Sequence, residues 1–104
     1  MANWHRIASV NDVPAGTGRE FVVVDRIVAV FHAEGGGFHA LDGVCPHQGG
    51  PLGRGKLVGC VVTCPWHGWQ FDVCTGQHVT SPSVLHTVLP VKVEGNDVFV
   101  DVTG

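Results

Sequence analysis

The 104-residue chain has no tyrosine and one methionine, and its six Lys and Arg are outnumbered by nine Asp and Glu. The cations are scattered as Arg6, Arg19, Arg26, Arg54, Lys56 and Lys92, which offers a phosphate backbone little to bind and excludes nucleic acid as an expected partner. Long apolar runs are also missing. No stretch approaches the roughly 18 apolar residues of a membrane-spanning helix, and the opening Met1–Ser9 lacks the apolar core of a secretory signal. A soluble, cytoplasmic protein with no membrane partner is expected. Charged residues make up only 14% of the chain and apolar ones 44%, enough for one domain over 1–104 to fold around its own core.

Helical periodicity is scarce, whereas glycine is abundant at 15 residues, and the chain reads as all-β. The β-branched run Glu20–Phe31 predicts two buried strands folding back near Asp25-Arg26. Near the end, Val91 and Val93 alternate with Lys92 and Glu94. Gly95-Asn96-Asp97 then turns the chain, and Val98, Val100 and Val102 alternate with Phe99 and Asp101, which predicts a terminal hairpin. Residues from about 43 to 83 differ in composition, holding all four cysteines and many of the glycines and prolines. They read as a lobe inserted between basal sheets at about 1–42 and 84–104. Leu57–Thr63 and Gln70–Val73 are its expected strands, with Thr75-Gly76 as a turn.

Within that lobe lie two short knuckles, Cys45-Pro46-His47 and Cys64-Pro65-Trp66-His67, sixteen residues apart. In a reducing cytosol four cysteines are expected as metal ligands or buried thiols rather than as two disulfides. Each knuckle offers one thiolate and one imidazole. A structural zinc site more commonly pairs like ligands on each knuckle. The mixed pattern suits a two-iron cluster in which two Cys hold one iron and two His the other. A structural zinc module for protein interaction remains the alternative, and it would be colourless.

Cys45-Pro46-His47-Gln48-Gly49-Gly50-Pro51-Leu52 and Cys64-Pro65-Trp66-His67-Gly68-Trp69-Gln70-Phe71-Asp72, followed by Thr75-Gly76, resemble the two cluster-binding boxes of Rieske-type 2Fe-2S proteins. The resemblance implies an antiparallel β-sandwich with a small inserted cluster-binding lobe. It also implies one 2Fe-2S cluster held by Cys45, His47, Cys64 and His67, with the His-bound iron near the surface. High-potential respiratory members of this family carry an extra Cys in each box, where this chain has Gly50 and Trp66. They also carry a Ser and a Tyr where it has Trp69 and Phe71. Without hydroxyl donors to the cluster sulfurs, the potential is expected near the lower end of the roughly −150 to +300 mV Rieske range.

This places the chain with the soluble low-potential branch found in bacterial aromatic-ring hydroxylating oxygenase systems. It implies a one-electron carrier, monomeric and without a substrate site of its own, that takes electrons from a flavin-containing ferredoxin reductase and delivers them to a terminal oxygenase. The chain is shorter than a Rieske module joined to a mononuclear-iron catalytic domain would need. The rival reading is the small Rieske-like subunit of an assimilatory nitrite reductase.

The remaining candidates have plainer readings. Cys60 and Cys74 are expected as buried, inert thiols, with a cytosolic setting arguing against a disulfide between them. Trp66, Trp69 and Phe71 read as packing residues. Pro82 fits either the loop that covers the cluster in the resembled family or a simple turn. His5, His32, His39, His78 and His86 are expected at the surface or half-buried, and Gly49-Gly50-Pro51 reads as a turn.

Overall fold

A computed structural model describes residues 3–24, 26–35, 37–43, 52–65, 68–79 and 88–102. Among the described residues are ten strands in three antiparallel sheets, as expected for an all-β chain. In chain order they are β1 (Trp4–Ser9), β2 (Thr17–Val23), β3 (Arg26–His32), β4 (Phe38–Asp42), β5 (Lys56–Val58), β6 (Val61–Thr63), β7 (Gln70–Asp72), β8 (Val88–Leu89), β9 (Val91–Glu94) and β10 (Asp97–Asp101). The sheets run β1-β10-β9, β2-β3-β4-β8 and β5-β6-β7. No helix among the described residues is long and apolar enough to cross a membrane.

The four-stranded sheet is the middle layer, and the two-residue period of its side chains explains why. In β3, Val28 and Val30 join Val23, Ala40, Leu89 and Val100 in one core, which faces β10 of the first sheet. Ala29 and Phe31, on the opposite face, join Leu41 in a second core with Leu52, Leu57, Val62, Cys64, Phe71 and Val73. Val28 to Phe31 are all fully buried because β3 is covered on both faces.

The expectation of two buried strands therefore holds for β3 but not for β2. The hairpin itself is present, with Val23 paired to Arg26. However, β2 is the sheet edge. Its outward side chains have no layer above them, which leaves Val22 77% exposed. Val24, in the connecting turn, has a φ of +49° and is 66% exposed. A β-branched residue is strained in that left-handed region. Val24→Gly is expected to stabilise the fold by about 1 kcal/mol, read as a higher urea midpoint, because it relieves strain and loses little burial.

The terminal hairpin forms with Glu94 opposite Asp97, so Gly95-Asn96 alone makes the turn. Val98 and Val100 are fully buried. Three strands had no counterpart among the expected ones, the short β8 (Val88–Leu89) and two longer ones. One is β1, which pairs with β10 through a register shift between Arg6 and Ala8. The other is β4, which lies between β3 and β8. The expected strand Leu57–Thr63 is instead a hairpin, β5 and β6, broken at Gly59-Cys60. Gly59 has a φ of +60°, a conformation that lets the chain reverse within an otherwise strand-like run. β7 ends at Asp72, one residue short of the expectation.

Candidate metal centre

Of the four expected ligands, Cys64 is described; Cys45, His47 and His67 lie outside the described residues, as do Trp66, Pro82, His86 and Gly49-Gly50-Pro51. Cys64 directly follows β6 and is 1% exposed. Its backbone N–H donates to the Trp69 carbonyl at 2.7 Å, closing the second box at its base. Gly68, inside that closure, has a φ of +73°. Gly55 lies against the same strand: a Cβ there would meet the Thr63 carbonyl oxygen, so β6 depends on a glycine for its close approach just before Cys64.

The base of the first box is tied in the same manner. The Leu52 N–H donates to the Gly43 carbonyl at 3.1 Å, and the Gly43 N–H donates to the Ile27 carbonyl at 2.9 Å. Gly43 and Leu52 are thus joined at one hydrogen-bonded point. Leu41, Leu52 and Cys64 belong to one buried cluster, against which Trp69 packs. Both hydrogen-bonded closures therefore lie against a single apolar floor. Two further backbone contacts lie beside that floor: the Val79 N–H donates to the Gln70 carbonyl at 3.0 Å, and Val88 pairs with Leu41.

Beneath the second box three rings pack together. Trp69 meets His78 edge-on with centroids 4.8 Å apart, and Phe71 meets His78 in the same manner at 5.2 Å. Phe71 is fully buried, which accords with its reading as a packing residue. His78 departs from expectation: it is only 8% exposed, whereas a surface or half-buried position was expected. Its bridge to Phe71 extends β7 pairing and carries the ring inward. His5, His32 and His39 are half-buried as expected.

Cys60 and Cys74 also depart from expectation, since both thiols are exposed. The apolar run around Cys60 suggested burial, but the Gly59 turn swings Cys60 out to the surface. Cys74 lies just beyond β7, in a turn where its N–H donates to Asp72 Oδ1 at 2.8 Å. Only Cys64 of the three described cysteines is inside.

The donor set is chemically suited to iron and sulfide. Cys64, one of the four expected ligands, is a buried thiol beside a backbone closure, and thiolate and imidazole are the ligands such a cluster takes. The sequence profile of the Rieske [2Fe-2S] domain matches residues 3–98, nearly the whole chain. The chain belongs to the Rieske [2Fe-2S] domain family. It carries a Rieske-type 2Fe-2S cluster, which supplies reversible one-electron reduction.

Relatives of this Rieske domain include the ferredoxin component of a naphthalene 1,2-dioxygenase system from Pseudomonas aeruginosa, 31% identical, with 96% of each chain covered. Among solved structures, the ferredoxin in the complex of reduced oxygenase and oxidized ferredoxin of carbazole 1,9a-dioxygenase is 35% identical. It aligns over 94% of this chain and 92% of that one, with a TM-score of 0.85. A putative NADH-dependent nitrite reductase small subunit from Mycobacterium tuberculosis aligns over 100% of this chain and 98% of its own, with a TM-score of 0.90 but 22% identity. That last likeness is one of fold alone.

Proposed function

We propose that this Rieske domain is the ferredoxin of an oxygenase system, taking electrons singly from a flavin-containing reductase and passing them to a terminal oxygenase. The observation that carries this reading is its likeness, over almost the full length of both chains, to a ferredoxin solved together with its oxygenase. In the same proposal Cys45 and Cys64 hold one iron and His47 and His67 the other, residues about 43–83 form the cluster lobe, and the protein is a cytoplasmic monomer. The lobe's role is to hold four donors on one floor and to keep water from the Cys64 sulfur, while imidazoles near the surface give a short path for the electron. No substrate site of its own is needed.

The charge distribution favours brief encounters. Arg6, Arg26, Arg54 and Lys92 are each within ion-pair distance of a carboxylate, namely Asp97 at 2.8 Å, Asp42 at 3.7 Å, Glu20 at 2.7 Å and Glu94 at 3.7 Å. With a net charge of −3, the surface suits attraction to a basic patch over an interface below about 1,200 Å².

The test is anaerobic mixing of the dithionite-reduced protein with the oxidised oxygenase component of a naphthalene-type dioxygenase. Rapid reoxidation, slowed by added salt, is expected. A reduced spectrum that persists in the oxygenase mixture, together with permanent association with a nitrite reductase large chain, would replace this reading with the subunit one.

The low-potential expectation is also testable. Trp69 stands where the high-potential branch has a hydroxyl donor, and it is partly buried against the core. Trp69→Ser is expected to raise the midpoint by tens of millivolts in protein-film voltammetry, because a hydroxyl reaching a sulfur favours the reduced state. A lowered midpoint would contradict the hydrogen-bond argument.

A further inference from the structure

Three side chains outside the cluster boxes converge on one side of the lobe. Cys60, in the β5–β6 turn, and Cys74, just past β7, are both exposed and free. Their backbones are tied where the Val73 N–H donates to the Cys60 carbonyl at 2.8 Å. The Cys74 thiol has the Cys60 and Asp72 side chains beside it. Cys74 Sγ is also 3.5 Å from His39 Nε2 on β4. Two surface thiols that share a hydrogen-bonded strand pair and have a base within reach are placed as a dithiol, which the electron-transfer reading leaves unused.

We infer that Cys60 and Cys74 form a reversible disulfide with low-molecular-weight disulfides as oxidant, and that this bond straps the segment carrying the second cluster box. The Cys60 sulfur attacks the disulfide RS–SR, forming Cys60–S–SR and releasing one RSH. Cys74 Sγ then attacks Cys60 Sγ. The protein disulfide forms, the second RS⁻ leaves, and the Cys74 proton passes through His39 Nε2 to give the second RSH. Two protein thiols are oxidised by two electrons and one small disulfide is reduced to two thiols.

The order of the steps follows from the surroundings. Desolvation, together with the neighbouring Cys60 and Asp72, pushes the Cys74 thiol up to about 11, so it resolves the mixed disulfide rather than opening the reaction. The closed loop would run from Cys60 to Cys74 and enclose β6, Cys64, His67 and β7. Cross-linking its two ends restricts the open states through which the second box could release a metal. The strap rests on the assignment of Cys64 and His67 as ligands; the disulfide itself does not.

The experiment incubates the cluster-loaded protein with oxidised glutathione and then maps peptides by mass spectrometry after alkylation without reductant. A Cys60–Cys74 cross-linked peptide is expected, with no retained glutathione and full reversal by dithiothreitol. Cys74→Ser should instead keep one glutathionyl adduct on Cys60. Bleaching of the visible spectrum by an iron chelator should slow at least about tenfold on oxidation of the wild type, and not in Cys60→Ser. An adduct that persists on wild-type Cys60, or no reaction at either thiol, overturns the disulfide. A cross-link that leaves bleaching unchanged overturns the strap alone. Iron retained in full by Cys64→Ser, beside an intact wild-type cross-link, overturns the ligand assignment under the strap and leaves the disulfide standing.

Discussion

Cys64→Ser is expected to yield colourless protein with iron falling from two per chain to nearly none, whereas Cys60→Ser should keep both its iron and its visible spectrum. The two residues sit four positions apart in one apolar stretch and differ in what the fold does with them. Cys64 is 1% exposed and leaves β6 at the hydrogen-bonded base of the second box, while Cys60 is exposed on a turn. A serine hydroxyl stays protonated at neutral pH and is a poor, hard substitute for a thiolate toward iron and sulfide. Because metal binding contributes to folding, the Cys64 variant should also unfold at lower denaturant concentration. Iron and sulfide assays with absorption spectra read both outcomes. Loss of colour in Cys60→Ser would show that the ligand set is incomplete.

Phe71→Ala is expected to destabilise the protein by about 3–5 kcal/mol, measured as a fall in urea midpoint at unchanged slope. Its ring is fully buried in the core shared by the middle sheet and the lobe. It pairs in register with Val62 on β6 and packs edge-on against His78. Truncation leaves a cavity on the face that supports Trp69, whose carbonyl accepts the Cys64 N–H. The cavity cannot collapse freely, because β6 and β7 are held in register on both sides of it. The second box should therefore loosen as well, so chelator bleaching should accelerate along with the loss of stability. A cost below about 1 kcal/mol would mean that the lobe does not depend on the shared core.

The family and its 2Fe-2S cluster were legible because they are written in residue types at short spacing. Cys45-Pro46-His47 and Cys64-Pro65-Trp66-His67 need no long-range information to reveal a mixed thiolate and imidazole donor set. The terminal hairpin was legible for a similar reason: alternation around Gly95-Asn96 is a local signal. Misreadings occurred where burial depends on neighbours remote in the chain. Cys60 lies among Leu57, Val58, Val61 and Val62 and reads as interior, but Gly59 turns it outward. His78 reads as a surface or half-buried polar residue, but a bridge to Phe71 draws it under Trp69. Val22 shares its apolar run with the fully buried Val28, yet it lies on an edge strand with nothing above it. β1 has no sequence signal comparable to that of β3, because its strand form depends on pairing with β10 at the other end of the chain.

The order of amino acids by itself determined the all-β character, the cluster type and the electron-carrying class, since coordination preference and two-residue periodicity are properties of neighbours along the chain. The tertiary structure alone decided that the middle sheet is covered on both faces, that the loop bases share one apolar floor, and that Cys60 and Cys74 come together beside His39. Those outcomes depend on which strands pair and which faces stack, a balance of burial and backbone hydrogen bonding summed over contacts between distant residues.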